Sequence, residues 1–132
     1  MRILFNFLAA LLFASSAAAQ DQSIEDVIGS QLEAFNARDV DDAWRYASPM
    51  IQGMFGTSRN FGAMVENGYP MVWTNRDVEF LERREEQGQQ VQRLLLRDES
   101  GAAHVLEYMM IDTPDGWRIN GVQLLPAPDV AA

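Results

Sequence analysis

Cysteine is absent from this chain of 132 residues, and so is lysine. Without cysteine there are no disulfides, thiol nucleophiles, thiolate metal sites or lipid-bearing lipoprotein cysteine. Without lysine, Schiff-base and lysine general-base mechanisms are excluded. The single histidine, His104, cannot make a two-histidine zinc motif. No Gly-x-Ser-x-Gly elbow exists to partner it in a hydrolase triad. Gly53-Met54-Phe55-Gly56-Thr57 carries no lysine and is not a phosphate-binding loop. Positive charge is scarce as well: ten arginines face 19 acids, for a net charge of −9. That balance argues against nucleic acid and anionic membrane surfaces, both of which require basic patches.

What the chain does carry begins with Arg2, an apolar run from Ile3 to Phe13 and small residues from Ala14 to Ala19. This is the pattern of a cleavable signal peptide over residues 1–19, cut before Gln20. The run is shorter than the roughly 20 apolar residues that a membrane span requires. Removal costs one arginine and no acid, so the mature chain is more acidic still. The expectation is an exported, periplasmic protein with one domain over residues 20–132. Its tail, 126–132, is read as frayed. With no disulfides available, the core must hold the domain together.

Helical periodicity dominates the first half. Ser23 is placed to cap a helix whose stripe is Ile24, Val27, Ile28, Leu32 and Phe35. Asp39 can cap a short second helix with Val40, Ala43, Trp44 and Ala47. Pro49 either ends it or, with Ser48 as cap, starts another turn. Thr57 or Ser58 can cap a third helix bearing Phe61, Met64 and Val65, closed by Gly68. After Tyr69 the period shortens. Asp77–Arg84, Gln89–Arg97, Ala103–Asp112 and Trp117–Leu125 read as strands joined by tight turns, hence an antiparallel meander. The predicted class is α+β, with the helices on one face of a four-stranded sheet.

The third strand is apolar on both faces: Leu106, Tyr108 and Met110 on one, Val105, Met109 and Ile111 on the other. A sheet covered on one side only should alternate apolar and polar. Either a twisted central strand carries extra apolar surface, or the second face is buried too, most simply in a homodimer.

Helices followed by a bent antiparallel sheet resemble the nuclear-transport-factor-2-like (SnoaL-like, cystatin-related) cone. More specifically, Ser48–Thr57, Phe61–Pro70 and Asp115–Val122 are similar to a bacterial family described as domain of unknown function 4864. The resemblance implies the cone fold, a strongly curved sheet and a cell-envelope setting. It implies no activity. Related cones enclose an apolar cavity used for small ligands or catalysis, an analogy at the level of fold.

Candidate sites follow from single residues. Glu107 shares a strand face with Val105, Met109 and Ile111. Isolated there it would be desolvated, its pKa raised, and suited to act as a base in an isomerase or dehydratase, with Tyr46 or Tyr69 as donor. The competing reading pairs it with Arg93 or Arg118. Trp44, Tyr46, Phe55, Phe61, Tyr69 and Trp73 could wall a pocket for a small apolar ligand, with Arg59 offering a fork to a carboxylate. The competing reading has the aromatics filling the core and Arg59 solvated in the first turn of the third helix. Asp39, Asp41 and Asp42 lack the glycine and terminal glutamate of a calcium loop, and helix-start acids need no metal. No cofactor or metal is expected. The leading expectation is an exported binding or accessory module, followed by the small enzyme and then an envelope protein-interaction module.

Overall fold

The computed structural model describes residues 22–126. The expected signal peptide and the tail beyond residue 126 lie outside the described residues. Within them, five helices precede four strands. No helix among the described residues is long and apolar enough to cross a membrane.

The first helix, α1 (Ile24–Asn36), is capped by Ser23, whose hydroxyl accepts from the Asp26 amide at 3.0 Å. Its predicted stripe is the buried one. The chain leaves α1 through Arg38 in the left-handed region at φ 61°. That residue bears no glycine-like freedom and is held by its guanidinium instead. It donates to the Phe35 carbonyl at 2.9 Å, to the Trp73 carbonyl and to Thr74, and lies 4.4 Å from the centre of the Trp73 ring. The residues that position it belong to the far end of the helical half, so this turn clamps the two ends together.

Helix α2 (Val40–Arg45) takes its cap from Asp39, and α3 (Pro49–Phe55) takes its cap from Ser48 with Pro49 in the first turn. Proline therefore starts a helix here. Helix α4 (Ser58–Gly68) is capped by Thr57. It crosses α2 at Gly62, where a Cβ would stand 2.8 Å from Val40 Cγ1, so only glycine permits the approach. A further turn, α5 (Pro70–Trp73), replaces the simple crossing expected after Tyr69. Three predicted helices are thus five, the additions being short turns that begin with proline.

Strands β1 (Arg76–Glu86), β2 (Gln89–Arg97), β3 (Ala103–Thr113) and β4 (Gly116–Leu124) form an antiparallel meander in sequence order. The α+β class and the four strands are as the sequence predicts. Gln87 and Gly88, both at positive φ, make the first hairpin turn. Bulges interrupt β1 twice and β4 once, at the Met109/Met110 step of its pairing with β3. Bulges bend strands. At the β4 bulge the chain is stitched to the helices: Ile119 donates to the Tyr46 carbonyl at 2.8 Å and accepts from Ser48 at 2.8 Å. Asn120 accepts from the Ser48 hydroxyl at 2.7 Å and donates to Gln89 at 3.0 Å.

The core lies between α1 and the inner sheet face, where Leu94, Leu96, Leu106, Tyr108, Met110 and Ile119 meet the helix stripe. Burial of this apolar area is the main stabilising term.

Candidate functional site

Between the helices and the β4 side of the sheet lies a cavity of about 240 Å³. Its sheet wall is Tyr108, Ile119, Gly121 and Val122. From the helices come Gln31 and Phe35 of α1, Ile51, Met54 and Phe55 of α3, and Phe61, Met64 and Val65 of α4. Ala47, Tyr69 and Val72 complete it. Met54 is 64% exposed, so the cavity reaches the surface beside α3, a helix with no fully buried residue. No lining residue carries a formal charge.

The polar groups of the wall are few and unequally satisfied. Gln31 donates its amide to the Ala43 carbonyl at 3.1 Å. The Tyr69 hydroxyl donates to the Val122 carbonyl at 3.2 Å. Tyr108, fully buried, has a hydroxyl with no hydrogen-bond partner among the described residues. Burial pushes its pKa far above the usual phenol value, with the nearby Tyr69 adding to the effect. The hydroxyl is therefore neutral and retains its proton as a donor. A buried polar group left unpaired costs about 1–3 kcal/mol, which makes this hydroxyl the conspicuous feature of the interior.

Of the residues expected to line a pocket, Phe55, Phe61 and Tyr69 do so. Trp44 and Trp73 stand behind the wall. Trp44 packs on Phe61 at 5.4 Å between ring centres, and Trp73 packs on Phe35 at 6.0 Å. Tyr46 is buried, with the guanidiniums of Arg45 and Arg118 5.0 Å and 6.0 Å from its ring centre. Arg59 is exposed on the first turn of α4 and takes no part in the wall. Sequence reasoning missed Tyr108 and Gln31 as site residues. Both carry a signal: each is a polar group set inside an apolar face, Gln31 one helical turn after Val27 and Ile28, Tyr108 between Leu106 and Met110.

Glu107 decides between its two readings in favour of the ion pair. Its strand neighbours Leu106 and Tyr108 face the core, so it points to the other side of the sheet, away from the cavity. It is 4% exposed but not isolated. Arg84 grips both its oxygens, at 2.7 Å and 3.1 Å, and Arg93 donates two bonds to one of them, at 3.0 Å and 2.8 Å. Arg93 also reaches Glu82 at 3.0 Å, and Arg84 reaches Glu86 at 3.5 Å. The guanidinium of Arg84, and then that of Arg93, outweigh desolvation and hold the Glu107 pKa down to about 2. The raised pKa expected of a lone carboxylate is reversed, because two partners reach it: Arg93 stands directly opposite on β2, and Arg84, opposite Val91 on β1, extends across β2. Arg93 is the partner the alternative reading named; Arg84 takes the place of Arg118.

His104 is half-buried, its Nε2 2.8 Å from Asp98. Asp98 also accepts from the amides of Ser100 and Ala102 and from the Ser100 hydroxyl, and its pKa lies well below the usual range, His104 being the largest cause. Ser100 bonds the aspartate rather than the imidazole, so the trio is a tied turn and not a nucleophile with its base. Asp39 caps α2, Asp42 pairs with Arg45 at 3.0 Å, and Asp41 accepts from Ser58. Among the described residues, no three acidic or histidine side chains gather where they could hold a metal ion.

Three comparisons with known proteins bear on this geometry. A family model described as "Domain of unknown function (DUF4864)" matches residues 17–132. No curated protein matches the chain. Among solved structures, a SEC-C motif containing protein from Rhodopseudomonas palustris is similar at TM-score 0.58 and 14% identity, covering 85% of this chain and 88% of that one. At that identity the likeness concerns the fold alone.

Proposed function

We propose, for a chain that belongs to the DUF4864 family, that it is a binding module for a small, largely apolar molecule held between helices and sheet. The observation that carries this reading is the uncharged cavity of about 240 Å³ lined in part by Tyr108, whose buried hydroxyl has no partner among the described residues. An apolar cavity of about 150 Å³ engineered into another protein is enough to take up benzene. Pockets for small molecules are typically apolar with one or two placed polar groups. The signal-peptide pattern of residues 1–19 supports export of the module to the periplasm. The bulged, unclosed sheet under a layer of helices supports the nuclear-transport-factor-2-like cone as its architecture. The half-buried Val105, Met109 and Ile111 support a second copy as partner for the outer face, which sedimentation of the mature protein would detect. An isomerase or dehydratase with Glu107 as base has less behind it, since that carboxylate is ion-paired and lies across the sheet from the cavity.

The test is titration of the mature protein with ethylbenzene while following the methionine methyl groups by NMR. Met54 and Met64, in the wall, are expected to shift saturably, and Met109, on the outer face, to stay still. Absence of a saturable shift, or equal movement of all three, would remove the binding reading.

A further inference from the structure

The cavity also says what kind of molecule fits it. Every charged side chain is absent from its wall, so a carboxylate or an amine entering it would be stripped of water with no counter-charge to meet it. Arg59, the one cation that the sequence offered for an acidic ligand, is on the exposed surface of α4. Charged ligands are therefore disfavoured. A pure hydrocarbon would fit but would leave the Tyr108 hydroxyl as it is, buried and unpaired.

That hydroxyl is a donor without an acceptor. Its own strand cannot supply one, because its backbone lies in the β2–β3–β4 ladder and its flanking side chains on the same face are Leu106 and Met110. The Tyr69 hydroxyl, which donates to the Val122 carbonyl at 3.2 Å, is not within hydrogen-bond distance of the Tyr108 hydroxyl either. Resting on the binding reading above, we infer that the ligand is an uncharged molecule with one oxygen acceptor, a carbonyl or hydroxyl oxygen, which receives the hydrogen bond of Tyr108. Its apolar body then lies against Phe55, Phe61, Val65 and Ile51.

Three probes of similar shape separate the terms: ethylbenzene with no acceptor, acetophenone with one neutral acceptor, and benzoate with a charge. Each is titrated into wild-type protein and into Tyr108→Phe, which removes only an unpaired hydroxyl and so should keep the fold. The expected result is an acetophenone affinity about fivefold to tenfold weaker in Tyr108→Phe. Ethylbenzene affinity should be the same in both proteins, and benzoate should bind at least about tenfold more weakly than acetophenone in the wild type. If acetophenone and ethylbenzene respond alike to Tyr108→Phe, the hydrogen-bond assignment is overturned while the apolar pocket stands. If benzoate binds as well as acetophenone, the neutrality of the ligand is overturned. If none of the three binds, the binding reading itself falls, and this inference with it.

Discussion

The two faces of the sheet handle a buried polar group in opposite ways. On the outer face Glu107 is a full charge, and two arginines saturate it. On the inner face Tyr108, the next residue along, is neutral, and its hydroxyl has no partner among the described residues. A charge buried alone would cost several kcal/mol and would be neutralised by a pKa shift. A lone hydroxyl costs only about 1–3 kcal/mol, which a folded domain can carry. The difference teaches where to look for function: the satisfied face is structural, and the unsatisfied face has unused bonding capacity.

The sharpest way to break this comparison is truncation of two neighbours on β2 that face opposite ways. Leu94→Ala, in the inner core, is expected to cost about 3–4 kcal/mol in urea unfolding, and Leu95→Ala, on the outer face, about 1 kcal/mol or less. Equal losses would mean that the outer face is as tightly packed as the inner, as a stable dimer through it would produce.

Next in size is the outer network. Glu107→Gln removes the charge that both arginines share, and should destabilise by on the order of 1–2 kcal/mol, since the arginines remain partly open to water. The sign of the pH effect follows from the lowered pKa. The folded carboxyl titrates at about 2 and the free one at 4.5. Its stabilisation is therefore fully present above about pH 4.5 and is lost as pH falls towards 2. Unfolding midpoints taken between pH 7 and 2.5 should fall less steeply in Glu107→Gln than in wild type. Parallel curves would show that the network contributes nothing measurable.

The smallest effect expected has the opposite sign. Tyr108→Phe deletes an unpaired buried hydroxyl, so the ligand-free protein should gain about 1 kcal/mol in the same unfolding measurement. A loss of stability instead would mean that the hydroxyl is satisfied in solution, and the contrast between the faces would narrow to one of charge.

Much of the architecture was legible in residue order. Ser23 and Asp39 each read as a cap and each is one, and Ser48 and Thr57 are the caps out of the alternatives read there, because capping depends on residues three apart. The strands were legible through the tight turns that join them, and the β2 bounds agree at both ends. The two short proline-started turns were harder, since proline signals both an end and a beginning. The site was legible only in its aromatics. Phe55, Phe61 and Tyr69 reach the cavity, while Trp44, Trp73 and Tyr46 have the same composition and lie outside it. Nothing within a few residues of each distinguishes the two sets.

Sequence alone determined the exclusions, the acidic balance, the α+β class and the order of elements, because these depend on residue types and on spacings of two to four positions. The tertiary structure decided which aromatics face a void, that Glu107 meets Arg84 and Arg93, and that the Tyr108 hydroxyl finds no partner among the described residues. Those outcomes depend on β-sheet register and on how α3 docks at Asn120 through Ser48, by contacts between residues tens of positions apart. Local spacing does not encode them.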